Sequence, residues 1–178
     1  MNFSIQTPLE TSRTRLDPLE ETDFERLFAV ASDPKIWAQH PNKDRWREAV
    51  FTNFFQGAMQ SGGAFIITEK KSGKAMGSTR FYNYNAQENS LFIGYTFFAH
   101  VYWGKGYNAE VKTAMLDFIF QFVSKVYLHI GANNIPSQIS ITRLGAEKIG
   151  EEQVAYYGEP SRHNFVYTFL KEKWLAGK

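Results

Sequence analysis

The chain has 178 residues, 43% hydrophobic and 16% aromatic, which favours a single domain over residues 1–178 with one sizeable core. The absence of cysteine excludes disulfides, thiolate metal sites and a cysteine nucleophile. The net charge of +2 is too small to indicate nucleic acid, and no apolar run approaches the roughly 20 residues that span a bilayer. With no signal-peptide pattern in residues 1–10, we expect a cytoplasmic protein without nucleic-acid or membrane partners.

The chain begins with a predicted strand over residues 14–19, followed by a helix. Thr22 and Glu25, three residues apart, form a capping-box pattern at the start of that helix. Asp33-Pro34 ends it, because proline disfavours helical geometry in the residue before it. Four apolar side chains on one face predict an amphipathic helix: Phe24, Leu27, Phe28 and Ala31.

A second helix is predicted between Asp44, a candidate N-cap, and Gly62-Gly63, which would stop it. Its apolar stripe consists of Trp46, Val50, Phe54 and Ala58. The strands predicted next, over 64–69 and 75–84, flank a polar turn over 71–74 and therefore form a hairpin.

The middle of the chain predicts a buried strand, a long helix and a second apolar strand. The strand over 90–98 carries no charge, which is typical of a central strand buried on both faces. The helix over 108–123 is apolar on most sides, apart from a narrow polar stripe and Lys112. Because this helix separates two apolar strands, 90–98 and 126–130, it predicts a parallel pair with a right-handed crossover.

The chain ends with a predicted short helix over 137–144 and two strands, over 147–157 and 164–170. This order of elements predicts an α/β domain with a mixed, mostly antiparallel sheet flanked by helices. We expect a monomer or a homodimer.

The loop after the central strand has the features of an anion site. Trp103-Gly104-Lys105-Gly106-Tyr107 opens a helix, and the first amides of a helix have no partner within it. Glycines let the backbone approach a phosphate closely, and Lys105 adds positive charge. An isolated G-x-G pattern is equally consistent with an ordinary turn. Ala109 replaces the third glycine of a dinucleotide fingerprint, and the G-K-[ST] ending of a P-loop is missing.

Several segments in one order resemble the GNAT acetyltransferase family, and within it the subgroup that acetylates ribosomal-protein N-termini. The strand ends in Gly94-Tyr95 and is followed by the loop over 102–107, the long helix and the second apolar strand. Asn134-Ile135-Pro136-Ser137 then opens a short helix. The early Arg15-Leu16 and the late Arg143-Leu144-Gly145 are also similar to family positions.

The resemblance implies a parallel pair that splays apart, with acetyl-CoA bound in the gap and no metal. It implies that the backbone of Thr96 to Phe98 pairs with the pantetheine and that the loop amides hold the pyrophosphate. The implied cofactor-binding residues are Thr96, Phe97, Phe98, Trp103, Gly104, Lys105, Gly106, Tyr107, Asn108 and Asn134. Ser137 is the candidate proton donor or hydrogen-bond partner for the thiolate. Alternatively, Ser137 is only a helix N-cap and Asn134 only a turn residue.

The implied reaction is direct transfer of acetyl from acetyl-CoA to a primary amine, on a protein N-terminus or a small molecule. Some family positions are altered: Phe92 stands in place of a glutamate and Ile141 in place of a tyrosine acid. A catalytically impaired CoA-binding module is therefore the alternative. A nucleic-acid-binding domain ranks last, because its only support is a pI near 8.7 and scattered basic residues.

No residue is an obvious general base. His129 lies in a predicted strand and is expected to pack in the sheet in preference to acting as a base. A set of aromatic side chains could line an acceptor pocket, although such residues more often pack a sheet: Tyr82, Tyr84, Tyr95 and Phe97.

Overall fold

The computed structural model describes residues 3–178, which form one eight-stranded sheet in the order β1-β2-β3-β4-β5-β6-β8-β7. The strands are β1 (Leu9–Glu10), β2 (Thr14–Pro18), β3 (Ala64–Glu69), β4 (Ala75–Asn85), β5 (Ser90–Phe98), β6 (Lys125–Gly131), β7 (Glu147–Val154) and β8 (Arg162–Leu170). The helices are α1 (Phe24–Ala31), α2 (Glu48–Ser61), α3 (Tyr107–Ile119), α4 (Ile135–Arg143) and α5 (Lys171–Ala176). Strands β5 and β6 are parallel and the other neighbours antiparallel, which confirms the predicted mixed sheet.

The predicted strands all form, with boundaries that differ by at most a few residues. The short strand β1 and the terminal helix α5 were not predicted. Within residues 3–178, no helix is long and apolar enough to cross a membrane.

The predicted helix caps are wrong in two places. The capping box at the start of the first helical region joins Glu20 and Asp23, two residues earlier than Thr22 and Glu25, because the chain enters a short 3-10 turn before α1. Asp44 does not cap α2, which begins at Glu48 after an Arg47 N-cap. The reason is a turn before the helix, in which the Arg47 amide donates to the Asp44 carbonyl at 2.9 Å. The Arg45 side chain of the same turn is buried.

Helix α3 ends at Ile119, four residues before the predicted end, because the chain turns over residues 120–122 and leaves Phe122 partly exposed. Helix α4 begins two residues before the predicted start, with Asn134 as its N-cap. Gly62 adopts φ 60° and ends α2 as predicted.

Two apolar layers pack on opposite faces of the sheet. Helix α3 covers one face through Val111, Met115 and Leu116, which are fully buried. Helices α1 and α2 cover part of the other face through Leu27 and Phe51. The strand β5 therefore lies at the centre of the molecule, as predicted. Its α1/α2-facing side is only half-buried at Phe92, Gly94 and Tyr95, so burial on both faces is incomplete there.

Candidate acetyl-CoA site

The parallel pair separates after three residues. Ser90, Leu91 and Phe92 of β5 pair with residues 125–127 of β6, and the register continues no further. From Ile93 to the end of β5, the backbone groups that face β6 therefore lack a strand partner. Apart from the Phe98 carbonyl, which accepts from the Trp103 indole, they are available to an extended ligand. This geometry confirms the splayed pair.

A β-bulge shapes β5 at the gap. Ser78 of β4 pairs with Phe97 and Arg80 with Gly94, so two residues of β5, Tyr95 and Thr96, stand opposite one residue of β4. Tyr95 adopts φ 53°, which is uncommon for a residue with a side chain. Bulges redirect backbone and side chains, and this one does so where the strands part.

Two buried cations contact the bulge from opposite faces of the sheet. The Arg80 guanidinium lies 3.8 Å from the centre of the Tyr95 ring and donates to the Gly57 carbonyl of α2 at 3.0 Å. On the α3 side, the Lys112 ammonium donates to the Thr79 hydroxyl at 3.2 Å and also to the Thr96 hydroxyl. Within residues 3–178 neither cation has a carboxylate at ion-pair distance. Burial lowers the pKa of Lys112 to about 7 and that of Arg80 to about 10.

The glycine loop is open to solvent and has the backbone conformation that glycine permits. Gly104 and Gly106 adopt φ 71° and 82°, and a side chain at Gly104 would meet no atom within 4 Å. The Trp103 indole donates to the Phe98 carbonyl at 2.9 Å, which fixes the loop to the end of β5. Gly106 caps α3 without a side chain, so no capping side chain binds the first amides of the helix.

Arg13 supports the loop from the segment before β2. Its guanidinium donates to the Lys105 carbonyl at 3.0 Å and lies 4.0 Å from the centre of the Tyr107 ring. Glu110 holds Arg13 in place, because its carboxylate accepts from Arg13 Nε at 2.7 Å and from the Arg13 amide at 3.0 Å. Despite the opposing effect of burial, hydrogen bonds from residues 11–13 lower the pKa of Glu110 to about 2.

A side-chain hydrogen bond connects the start of α3 to α4, close to the N-cap of α4. Asn108 Nδ2 donates to the Ser140 hydroxyl at 2.9 Å, and Ser140 lies one turn after Ser137 on α4. Asn134 Oδ1 accepts from the Ser137 amide at 3.3 Å, so Asn134 is the N-cap and Ser137 is not. The cap therefore leaves the Ser137 hydroxyl and the Asn134 Nδ2 group free.

Aromatic side chains form the sheet surface beside the gap, on the α1/α2 face. Ring centroids lie 5.3 Å apart for Tyr82 and Phe92, 5.1 Å for Tyr82 and Tyr95, and 5.4 Å for Tyr95 and Tyr156. We call this surface, together with His129, the aromatic floor. Burial raises the pKa of Tyr156. Two aromatics considered from the sequence lie elsewhere: Tyr84 packs on the α3 side and Phe97 is buried under α1 and α2.

Two loops lie beside the aromatic floor and are connected by a buried ion pair. The loop over 38–47 precedes α2, and the loop over 155–161 joins β7 to β8. Arg45 donates to both carboxylate oxygens of Glu159, at 2.7 and 2.9 Å, and the side chains are only 1% and 5% exposed. His40 lies 3.0 Å from Arg45, and burial together with the Arg45 charge holds its pKa well below the usual range. The pair therefore holds the two loops together beside the aromatic floor, where the Arg45 guanidinium lies 5.8 Å from the centre of the Tyr156 ring.

Sequence reasoning missed the supporting residues of this site. Lys112 carried a signal, since it is a lone charge on an apolar helix. Arg80 and Arg13 carried no such signal in the sequence. The contacts of Arg80 depend on the register of β4, and those of Arg13 depend on Glu110, 97 residues away. In the described part of the chain no three histidine or acidic side chains are grouped to hold a metal ion.

Comparison with known proteins gives consistent results. A curated relative, the uncharacterized protein YkkB of Bacillus subtilis (strain 168), is 29% identical over 153 residues, covering 83% of this chain and 87% of that protein. Among solved structures, a GCN5-related N-acetyltransferase from Brucella melitensis has a TM-score of 0.81 at 19% identity, covering 96% of this chain and 81% of that one.

Two Vibrio cholerae structures each have a TM-score of 0.71 and are covered over 99% of their length. One is a putative ribosomal-protein-serine acetyltransferase, at 19% identity and 94% of this chain. The other is a spermidine N-acetyltransferase in complex with CoA and spermine, at 16% identity and 92% of this chain. The family profile described as acetyltransferase (GNAT) domain matches residues 13–147. The chain therefore belongs to the GNAT acetyltransferase family.

Proposed function

We propose that this protein transfers the acetyl group of acetyl-CoA to a primary amine, on a protein N-terminus or on a small molecule. The observation that carries the proposal is the unpaired edge of β5, which leads from the bulge at Tyr95 directly to the glycine loop. An extended arm paired with this edge would present its anionic end to the first amides of α3.

The residues around the gap fit acetyl-CoA. The open backbone from Gly104 to Asn108 would hold the pyrophosphate, with Trp103 anchoring the loop and Lys105 adding charge. The backbone of Thr96 to Phe98 would pair with the pantetheine. Asn134 would contact the same arm through Nδ2, which its capping bond does not use.

Acetyl-CoA supplies an activated acetyl group when it is bound. An amide of β5 in the gap would stabilise the oxyanion that forms on the acetyl carbonyl. The Ser137 hydroxyl, which the helix cap leaves free, would donate a hydrogen bond or a proton to the departing sulfur. The amine must be neutral to attack, so a base is needed near the cleft.

The cleft above the aromatic floor is the proposed acceptor site. Its aromatic and partly buried surface suits the alkyl or peptide portion of an amine substrate. The structural neighbours named for a ribosomal protein and for spermidine indicate two acceptor types to test, a peptide N-terminus and a polyamine.

A CoA-binding module without catalysis is the second candidate. Ile141 stands where many family members have a tyrosine acid, and it is only 2% exposed within the α3-side core. Phe92, in place of a glutamate, lies in the aromatic floor without an ionisable group. Tight CoA binding with no turnover across peptides and polyamines would favour this candidate, and turnover by the wild type would exclude it.

The loop assignment is tested with Gly104→Asp. A carboxylate placed against the proposed pyrophosphate site should raise the dissociation constant of acetyl-CoA, measured by calorimetry, by at least about 10-fold. Gly73→Asp is the matched control, because Gly73 has φ 68°, close to the 71° of Gly104, and equally open surroundings in the β3–β4 hairpin. Equal affinity in the two folded variants would remove the loop from the site.

A further inference from the structure

His129 occupies a distinctive position at the gap. It lies on β6 two residues beyond Tyr127, the last residue paired with β5, and its ring centroid is 4.6 Å from that of Phe92. Its side chain is only 8% exposed. Neither ring nitrogen has a hydrogen-bond partner within residues 3–178. Buried polar atoms are nearly always partnered, so two free nitrogens beside a substrate cleft point to a partner that arrives with the substrate.

Glu152 of β7 stands beside one of these nitrogens. Its carboxylate oxygen Oε2 lies 3.4 Å from His129 Nε2, which is within ion-pair range although not aligned as a hydrogen bond. A carboxylate at this position favours the tautomer with the proton on Nε2. The lone pair is then on Nδ1, which is the arrangement required of a base with an orienting carboxylate.

The surroundings keep the imidazole neutral. Burial lowers the pKa of His129, and the charge of Glu152 partly opposes that effect. The other elements packed around the ring contribute Phe92 from β5 and Val166 from β8, which do not ionise, and Tyr127 flanks it on the same strand. At neutral pH the ring can therefore accept a proton.

The other charged side chains around the cleft are already engaged, and burial raises the pKa of the aromatic-floor tyrosines, so their phenols stay protonated. Arg45, Glu159 and His40 bind one another, and Arg80 stacks on Tyr95 and donates to the backbone of α2. His129 is thus the basic group beside the gap whose nitrogens form no hydrogen bond within residues 3–178.

We propose that His129, oriented by Glu152, is the base that removes a proton from the acceptor's ammonium group; the inference rests on the acetyl transfer proposed above. The proton moves from the ammonium to Nδ1, directly or across one water, once the acceptor occupies the cleft. The freed nitrogen lone pair forms the C–N bond to the acetyl carbon as the C–S bond breaks. The sulfur leaves as a thiolate and is protonated, the new amide nitrogen loses its remaining excess proton, and the imidazolium releases its own to solvent.

The kinetic test compares His129→Gln with His163→Gln. His163 is the matched control because it also sits near a glutamate, with Nε2 3.3 Å from Glu151, but its side chain is 45% exposed and faces away from the gap on the outer hairpin. With the best acceptor from a panel of peptides and polyamines, His129→Gln should lower kcat/KM by about 100-fold or more. It should also abolish the acidic limb of the pH profile, while the acetyl-CoA dissociation constant stays within 2-fold. The control should match the wild type in all three measurements.

A second measurement needs no turnover. Nitrogen-15 spectra of histidine-labelled, ligand-free protein should show His129 as the Nε2–H tautomer. Glu152→Gln removes the charge that raises the pKa of His129, so the ring should titrate at lower pH, and the acidic limb of kcat/KM should move in the same direction. If His129 were only structural, the ring titration would still shift in Glu152→Gln, but the acidic limb of kcat/KM would not move with it.

The outcomes separate this inference from the proposed function. Wild-type-like kcat/KM and pH dependence in His129→Gln, or an Nδ1–H tautomer, would overturn the role of His129 while leaving acetyl transfer intact. Absence of turnover by the wild type, despite acetyl-CoA binding, would overturn the transfer activity and this inference together.

Discussion

Glu110 joins the segment before β2 to the first turn of α3 and so supports the glycine loop indirectly. It binds Arg13 through both the side chain and the backbone amide, and Arg13 in turn donates to the Lys105 carbonyl. The Glu110 carboxylate also lies near the N-terminus of α3, where a negative charge is favourable. One side chain thus fixes both the loop position and the start of the helix.

Replacing this carboxylate should loosen the loop. Glu110→Gln keeps one acceptor but loses the charge, so we expect the unfolding free energy to fall by about 1 kcal/mol at pH 7 and acetyl-CoA affinity to decrease about 3-fold. The folded pKa of about 2 lies below the ordinary glutamate value of 4.5, so the carboxylate stabilises the fold above pH 4.5 and loses that effect as pH falls toward 2. Urea unfolding of both proteins at several pH values should show the difference shrinking over that window.

Glu10→Gln is the control for Glu110→Gln. Glu10 of β1 pairs with Lys70 at 2.8 Å, but its side chain is 57% exposed and does not touch the loop. The Glu10→Gln variant should leave acetyl-CoA affinity unchanged. A Glu110→Gln protein with wild-type affinity would show that the Arg13 contact does not shape the loop.

At the scale of an element, α3 buries a lysine under the bulge of β5. Lys112 is 3% exposed and has hydroxyl partners from Thr79 and Thr96. The unfolded chain binds its proton up to about pH 10.5, whereas the folded chain releases it near pH 7. Stability therefore rises with pH between 7 and 10.5, because the unfolded state holds the extra proton over that range.

Lys112→Met should remove this dependence. At pH 6.5 the variant no longer buries an ammonium, and the Thr79 and Thr96 hydroxyls, 2.7 Å apart, can bond each other. We expect a Tm about 3 °C or more above the wild type at pH 6.5, with the difference decreasing toward pH 10. Lys173→Met, at a 56% exposed site, should show no such trend. A lower Tm for Lys112→Met at pH 6.5 would contradict this account.

Elements with a strong local signal were predictable, and contacts between distant elements were not. The boundaries of β5 and the glycine loop followed from an uncharged run and from glycines, which are local features. The bulge at Tyr95 depends on the register with β4, and no pattern within β5 announces it. The start of α2 was misplaced because the burial of Arg45 depends on Glu159, 114 residues away. The sequence predicts only a packing role for His129, since its lack of partners is visible only in three dimensions.

At the scale of the whole molecule, the Arg45–Glu159 pair connects the first half of the chain to the last hairpin. Asn53 of α2 adds a hydrogen bond to the Tyr157 carbonyl at 2.9 Å. Gly57 of α2 lies so close to Tyr157 that an added side-chain carbon would be 2.9 Å from it. The position of the β7–β8 loop, and with it one wall of the cleft, therefore depends on α2.

Replacing one partner of the Arg45–Glu159 pair should lower the unfolding free energy more than replacing both partners by apolar residues. Glu159→Gln leaves Arg45 buried without a counter-charge, so the unfolding free energy should fall by about 3 kcal/mol and Tm by about 6–12 °C. The double variant Arg45→Met/Glu159→Met should recover most of that loss. Glu147→Gln, which breaks the exposed pair with Lys173, should change stability by less than about 1 kcal/mol. Scanning calorimetry measures all three, and a double variant no more stable than Glu159→Gln would contradict the explanation.

The gap between β5 and β6 also has a consequence for cooperativity. It divides the sheet into a five-stranded and a three-stranded part that share three residue pairs and the packing of α3. Such parts can open as separate units, with the amides along the gap exchanging their hydrogens first. A ligand bound along β5 would bridge the two parts, so its concentration would set the stability of the whole sheet and not only the occupancy of one site.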